Sequence, residues 1–332
     1  MKNLQEATER ICELKGSLVA LDTLVPALID ALPAPVRARL QGSFDTHAEV
    51  ARTLMLPADI SDLVLSSFER DVARIATSLR RVATAAQSGP VEALLLTTAA
   101  ITTFARYRSL TRASGFFFRR DARLFLVSNR HVFADAASGH QPEHLEVVVH
   151  TDVQDLSRAT VLGLPLFRDG LPLWREASDQ AGPVDVAVLE IAPGQLPANA
   201  VLQAFEASDL QAGDEDIAIG DALTIVGFPM GFHDTVHHLA VARSASLASA
   251  YGIRFQRQGC FLTDARTHRG SSGAPVLRRR RQHDAGSGMP WQLIGVHSTR
   301  MDMHPRDEAQ DESLGLNLAW YADVLNTLTA DR

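Results

Sequence analysis

The sequence predicts a mainly β fold, a pair of antiparallel barrels, behind an α-helical N-terminal module. Three observations carry that expectation. Apolar residues recur three and four apart through the first 88 residues, the period shifts towards two after Pro90, and about 240 residues of short β-rich runs separated by turns follow. The 332 residues fit about two domains, and a 46% hydrophobic content excludes disorder as the main state. Thirty-two basic and thirty-nine acidic residues leave a net charge of −7, which disfavours a dedicated nucleic-acid binder.

Leu4, Ala7, Ile11, Leu14, Leu18, Leu21, Val25 and Leu28 form one apolar seam, so the first segment reads as an amphipathic helix that Pro26 bends or ends. A shorter helix is expected over 36–55. A third starts near Asp59, a plausible cap, and runs through Leu63, Phe68, Val72, Ile75, Leu79 and Val82 towards Ala86. Gln87-Ser88-Gly89-Pro90 breaks it, which makes 1–88 a helical module and 89–332 a second domain. The module reads either as a bundle packed on its own chain or as a coiled coil for a regulatory partner or self-association. Strands are expected over 101–107, 115–119, 124–127, 145–149, 184–191, 222–226 and 292–296.

The most apolar window, 93–104, is shorter than the roughly 20 residues of a spanning helix and contains four threonines, so no membrane segment is expected. No secretory run opens the chain, and Cys12 and Cys260 lie too far apart in sequence to build a disulfide framework or a zinc site. Both features point to the cytoplasm.

Three segments place a reactive side chain at the edge of an apolar strand, in the order His, Asp, Ser. The first is Phe125-Leu126-Val127-Ser128-Asn129-Arg130-His131-Val132 and the second is Val184-Asp185-Val186-Ala187-Val188-Leu189. The third is Arg269-Gly270-Ser271-Ser272-Gly273-Ala274-Pro275-Val276. A carboxylate entering a core must be hydrogen-bonded, and a histidine is its natural partner. The chain order matches one serine-nucleophile architecture and not the Ser, Asp, His order of the α/β-hydrolases.

On these residues the sequence resembles the chymotrypsin-like (trypsin-fold) serine peptidases, especially their bacterial trypsin-like branch, over about residues 92–328. The resemblance implies two six-stranded barrels, at about 92–195 and 213–318, closed by a C-terminal helix at about 319–329. It also implies a serine endopeptidase acting on protein or peptide substrates, with a triad of His131, Asp185 and Ser272 and no cofactor or metal. His131 would serve as general base and then general acid, Asp185 would fix its tautomer, and the N–H groups of Gly270 and Ser272 would form the oxyanion hole. Ser271 stands where secreted relatives carry the acidic residue that pairs with a newly cut N-terminus, so zymogen cleavage is not expected.

Leu293-Ile294-Gly295-Val296-His297-Ser298 resembles the strand lining the primary specificity pocket. Ser298 then falls where the family has a serine bonded to the catalytic aspartate. Thr267 and His297 fall where glutamyl endopeptidases hold a threonine and a histidine, which implies glutamate before the scissile bond. Arg300 replaces a small glycine on the substrate-pairing strand, and it and nearby Arg266 would aid acid binding or obstruct the pocket. A latent peptide-binding or signalling module assembled through the N-terminal helices remains the alternative.

His233 and His237 have i, i+4 spacing but sit in a turn sequence, which argues against a metal site. Arg278-Arg279-Arg280-Arg281 reads as the start of a solvated hairpin loop and not as a nucleic-acid contact.

Overall fold

The computed structural model describes residues 34–55, 91–211, 217–280, 289–302 and 313–331, with further helical positions from 10 to 28 and from 64 to 76. The chain divides into two compact units, Met1–Gly89 and Pro90–Arg332.

In the first unit a 22-residue helix spans Ala34–Met55, beginning two residues ahead of the expected start. Arg52 near its end donates to Glu49 at 2.5 Å and to Glu69, in the next helical stretch, at 2.7 Å. Positions 10, 20, 21, 24, 25 and 28 are helical, as are 64, 67–73, 75 and 76. Pro26, the proposed cap Asp59 and the break at 87–90 lie outside the described residues.

The second unit is mainly β. Strands β1 (Thr98–Ala105), β2 (Arg108–Arg120), β3 (Arg123–Ser128), β4 (His144–His150), β5 (Ala159–Pro165), β6 (Phe167–Arg168), β7 (Leu171–Pro172), β8 (Trp174–Asp179) and β9 (Gly182–Ile191) come first. Seven of them form one antiparallel sheet in the order β5-β4-β1-β2-β3-β9-β8. Six strands were expected here. The seventh arises because the fifth strand is cut in two by the β6–β7 hairpin, whose base is pinned by the Leu173 N–H donating to the Leu166 carbonyl at 2.9 Å. β5 and β8 therefore close the barrel as two pieces of one path.

The second barrel has the expected six strands: β10 (Ala222–Gly227), β11 (Val241–Ser246), β12 (Cys260–Thr263), β13 (Pro275–Arg279), β14 (Trp291–Asp302) and β15 (Ser313–Tyr321). Their order is β11-β10-β13-β14-β15-β12, and the bridge Leu247↔Thr263 closes the ring. β15 runs through Trp320, opposite Cys260, so the last helix is only Val324–Leu328 and not 319–329. Trp320 is held in the sheet because its side chain is buried in the core between the barrels.

The apolar runs of β2, β3 and β9 are continuous because each strand is buried on both faces. Phe117, Leu126, Ala187 and Leu189 point into the first barrel. Their neighbours Phe116, Phe118, Val127, Val186 and Val188 join Val226, Phe228, Leu277, Val296 and Leu325 in a core shared between the barrels. A third cluster, with Ile225, Phe261, Val276 and Ile294, fills the second barrel. Burying each large side chain contributes about 1.5–3 kcal/mol. The shared core fixes one barrel against the other, and with it the polar groups at the end of β3, near the start of β9 and within β14.

Candidate active site

His131 sits in the single helical turn Arg130–Phe133 that follows β3. Its orientation is fixed from two directions by Asp185 at the start of β9. The His131 N–H donates to Asp185 Oδ1 at 3.0 Å, and Nδ1 lies 2.8 Å from Asp185 Oδ2. A carboxylate accepts, so Nδ1 carries the proton that faces Asp185, and in the neutral imidazole the lone pair then lies on Nε2. Asn129 Nδ2 donates to the Asp185 carbonyl at 2.7 Å, tying the end of β3 to β9. Ser298 Oγ donates to Asp185 Oδ2 at 2.6 Å, so the carboxylate takes three hydrogen bonds. Ser298 reaches it from the β-bulge between His297 and Thr299 of β14, which turns its side chain out of register.

Ser272 lies in the turn ahead of β13. Its hydroxyl donates to the Ser298 carbonyl at 3.1 Å. The turn is set by backbone chemistry. Gly270 has φ +90°, and a Cβ there would meet the Phe228 carbonyl oxygen at 2.7 Å and the Met230 nitrogen at 2.9 Å. Only glycine fits that conformation and that space. Gly273, also at positive φ, packs its backbone against Ser114 and Ser128.

The Gly270 carbonyl accepts from Ser114 Oγ at 2.8 Å, and the Ser272 carbonyl accepts from the Ser114 N–H at 2.9 Å. The Arg269 carbonyl accepts from the Met230 N–H at 2.5 Å. In a trans peptide the N–H points away from the preceding carbonyl, so this bond directs the Gly270 N–H to the side opposite Met230. Ser114 and Met230 are residues that sequence reasoning missed. Ser114 carries a detectable signal, a hydroxyl in an otherwise apolar run, whereas Met230 acts only through its backbone.

His297, Arg300 and Thr267 are brought to one wall. In the β14–β15 register His297 faces Ala319 and Arg300 faces Asn317, two residues away on the same face of β15. Thr267 Oγ1 donates to Asn317 Oδ1 at 2.5 Å, and Asn317 Nδ2 donates to the Ala265 carbonyl at 2.5 Å. Asn317, 1% exposed, is a further residue the sequence reading missed, although an asparagine inside Leu314-Gly315-Leu316-Asn317-Leu318 is a recognisable anomaly. His297 is 2% exposed and its Nδ1 has no hydrogen-bond partner. Burial, with a smaller contribution from nearby His131, pushes its imidazole down to about 4, so it is neutral at physiological pH.

Arg266 does not join this wall; it is exposed and lines a separate groove beside β11. His233 Nδ1 lies 2.7 Å from the Gly231 carbonyl, and His237 Nδ1 lies 2.7 Å from Asp234 Oδ2, so both are used locally. Arg278 departs from the solvated-loop expectation: it belongs to β13, is buried, and pairs with Asp221 at 3.1 Å. No helix among the described residues is long and apolar enough to cross a membrane.

The two barrels, the His–Asp pair and the glycine-framed serine turn together have the arrangement of a trypsin-type peptidase domain. Residues 113–283, just over half of the chain, match the trypsin-like peptidase domain, and the chain belongs to that family. Among solved structures it is similar to the serine endoprotease from Yersinia pestis, at 14% identity and a TM-score of 0.43, over 73% of this chain and 65% of that one. It is also similar to the Rv3671c protease in its inactive form, at 16% identity and a TM-score of 0.37, over 71% of this chain and 88% of that one. The chain thus spans just under two thirds of the Yersinia endoprotease. No curated protein matches it significantly.

Proposed function

We propose that the protein is a serine endopeptidase that cleaves peptide bonds through an acyl-enzyme, with His131, Asp185 and Ser272 as its triad. The observation that carries this reading is the Asp185 carboxylate. Bonded by the His131 N–H and Nδ1–H and by Ser298, it leaves Nε2 free to accept a proton. Ser272 attacks the carbonyl carbon as His131 Nε2 takes its proton. The tetrahedral intermediate collapses as the same proton passes to the leaving amine, and water then hydrolyses the ester by the reverse sequence. The N–H groups of Gly270 and Ser272 stabilise the oxyanion, a contribution of roughly 3 kcal/mol per donor.

A preference for glutamate before the scissile bond belongs to the same reading. It is supported by the unpartnered His297 Nδ1 and by Arg300 on the face of Asn317. Neutral His297 contributes a hydrogen bond and Arg300 the charge. The Thr267 hydroxyl, engaged by Asn317, can only accept unless it turns. We assign the activity to the cytoplasm, without cofactor, membrane or nucleic acid, and the helical module 1–88 to a regulatory partner or self-association.

One observation favours the alternative of a latent peptide-binding module. The acceptor of the Ser272 hydroxyl is the Ser298 carbonyl and not His131. Catalytic hydrogen bonds often tighten only when substrate is bound. The test is a peptide-library digest by full-length protein beside Ser272→Ala, with each cut mapped by mass spectrometry. Cuts after Glu that vanish in the variant are the expected result. Cuts after other residues would remove the acidic preference, and no cutting by folded wild-type protein would favour the latent form.

A further inference from the structure

Beside the turn that carries Gly270 lies a groove of about 1040 Å³ that the catalytic reading does not use. Its floor is one edge of β11, the terminal strand of the second sheet, which along Val241–Ser246 pairs with β10 and with no other strand among the described residues. At Ser246 the outward carbonyl accepts from the Asp264 N–H at 3.2 Å, so the even-numbered residues of β11 turn their backbone groups away from β10. Upstream, Ala242 and Ser244 are exposed, and no hydrogen bond from their outward groups exists among the described residues. An unpaired edge of this kind is a template for a further strand.

The walls select what would pair there. Met230 and Phe232 stand on one lip at 74% and 69% exposure. Arg243 and Arg266 line the groove without an ion pair among the described residues, and no Asp or Glu lines it. A Cβ on Gly231 would come within 3.0 Å of Arg112 Nη1, which puts a third guanidinium at the rim. This basic, partly apolar edge belongs to a chain of net charge −7. Charge complementarity therefore favours an acidic occupant with apolar side chains at alternate positions.

We propose that the groove is a second peptide-binding site, in which an extended acidic segment of another protein adds as a strand to Ala242–Ser244, its carboxylates meeting Arg243 and Arg266 and its apolar side chains meeting Met230 and Phe232. The site is coupled to the catalytic turn by one bond, since the Met230 N–H holds the Arg269 carbonyl.

The test measures binding, not activity, on full-length Ser272→Ala protein. A fluorescein-labelled Glu-Leu-Glu-Phe-Glu-Leu peptide is titrated by fluorescence anisotropy, beside the same peptide with Lys for Glu and one N-methylated at alternate backbone positions. The expected result is saturable binding of the Glu peptide, at least tenfold weaker for both control peptides and for Arg243→Ser protein. Ala242→Pro removes one outward N–H without touching the β10 ladder and is expected to weaken binding similarly. Should that variant fail its melting control, Arg243→Ser decides. Equal affinity for the Glu and Lys peptides, no saturable binding, or affinity indifferent to Arg243→Ser would overturn the proposal. None of these outcomes depends on whether Ser272 is a nucleophile.

Discussion

The two barrels hold their halves of the candidate active site by different means. The first barrel presents His131 and Asp185 through side-chain hydrogen bonds: imidazole to carboxylate at 2.8 Å, with Asn129 anchoring the strand end behind them. The second barrel presents Ser272 through a backbone turn, shaped by Gly270 at φ +90° and by the Met230–Arg269 bond, and held from β2 of the first barrel by Ser114. Ser298, on the β14 bulge, links the two: its Oγ donates to the Asp185 carboxylate and its carbonyl accepts from the Ser272 hydroxyl. The difference teaches where each half is vulnerable. Chemical substitution is expected to disable the first half and leave its backbone in place, whereas the second half is expected to fail when a Cβ is added.

The largest expected effect tests the chemical half. Ser272→Ala is expected to lower kcat by on the order of 10⁶, and Asp185→Asn by roughly 10⁴ with an unchanged melting curve, because the imidazole adopts the wrong tautomer. A loss below tenfold in Asp185→Asn, measured on the best library peptide, would break the comparison on that side. Gly270→Ala tests the backbone half. The added Cβ cannot coexist with the Phe228 carbonyl and the Met230 nitrogen, so the turn must reorganise and kcat is expected to fall about 10²–10³ through loss of one oxyanion donor. The same change with normal kcat would show that the turn does not set the oxyanion hole.

How legible each half was follows the same division. The strand edges that carry His131, Asp185 and Ser272 could be read because each of these residues interrupts or borders an apolar run that is buried on both faces, and such runs are visible in one dimension. β8 (Trp174–Asp179) and β11 (Val241–Ser246) escaped, since Trp-Arg-Glu-Ala-Ser-Asp and Val-Ala-Arg-Ser-Ala-Ser carry too few apolar positions to mark a strand; their pairing partners supply the order. The six-strand expectation for the first barrel missed by one because the hairpin at Phe167–Pro172 splits a strand without changing the barrel's path. The C-terminal helix was placed too early because Ala319-Trp320-Tyr321 is apolar under either period, and only its pairing with β12 and β14 decides for strand. Met230 was illegible in principle, since its contribution is a main-chain N–H that any residue but proline carries. The engagement of Thr267 by Asn317 was not legible, because that contact joins positions fifty residues apart.

Smaller effects sharpen the link between the halves. Ser298→Ala removes the 2.6 Å bond to Asp185. A hydrogen bond to a charged group contributes about 1.5–3 kcal/mol, so kcat/KM is expected to fall roughly tenfold to a hundredfold, well short of Asp185→Asn. A loss equal to Asp185→Asn would mean that the carboxylate is oriented from the second barrel.

The smallest effect concerns pH. His297 is held neutral in the folded state by burial, with its imidazole pushed down to about 4 against an ordinary value of 6.5. Below pH 6.5 the unfolded chain therefore binds a proton that the folded chain refuses, and stability falls from about pH 6.5 to 4. His297→Gln is expected to flatten that part of the melting-temperature profile by a few degrees relative to wild type. Parallel profiles for the two proteins would remove His297 from the pH dependence.

The central claim is that the two barrels together activate one serine. It is tested most directly by treating full-length protein with a fluorophosphonate and locating the adduct by intact-mass and peptide mass spectrometry. The account predicts a single adduct on Ser272, absent in Ser272→Ala and formed at least a thousandfold more slowly in His131→Ala. Folded wild-type protein that takes no adduct, or takes it on another residue, would contradict it.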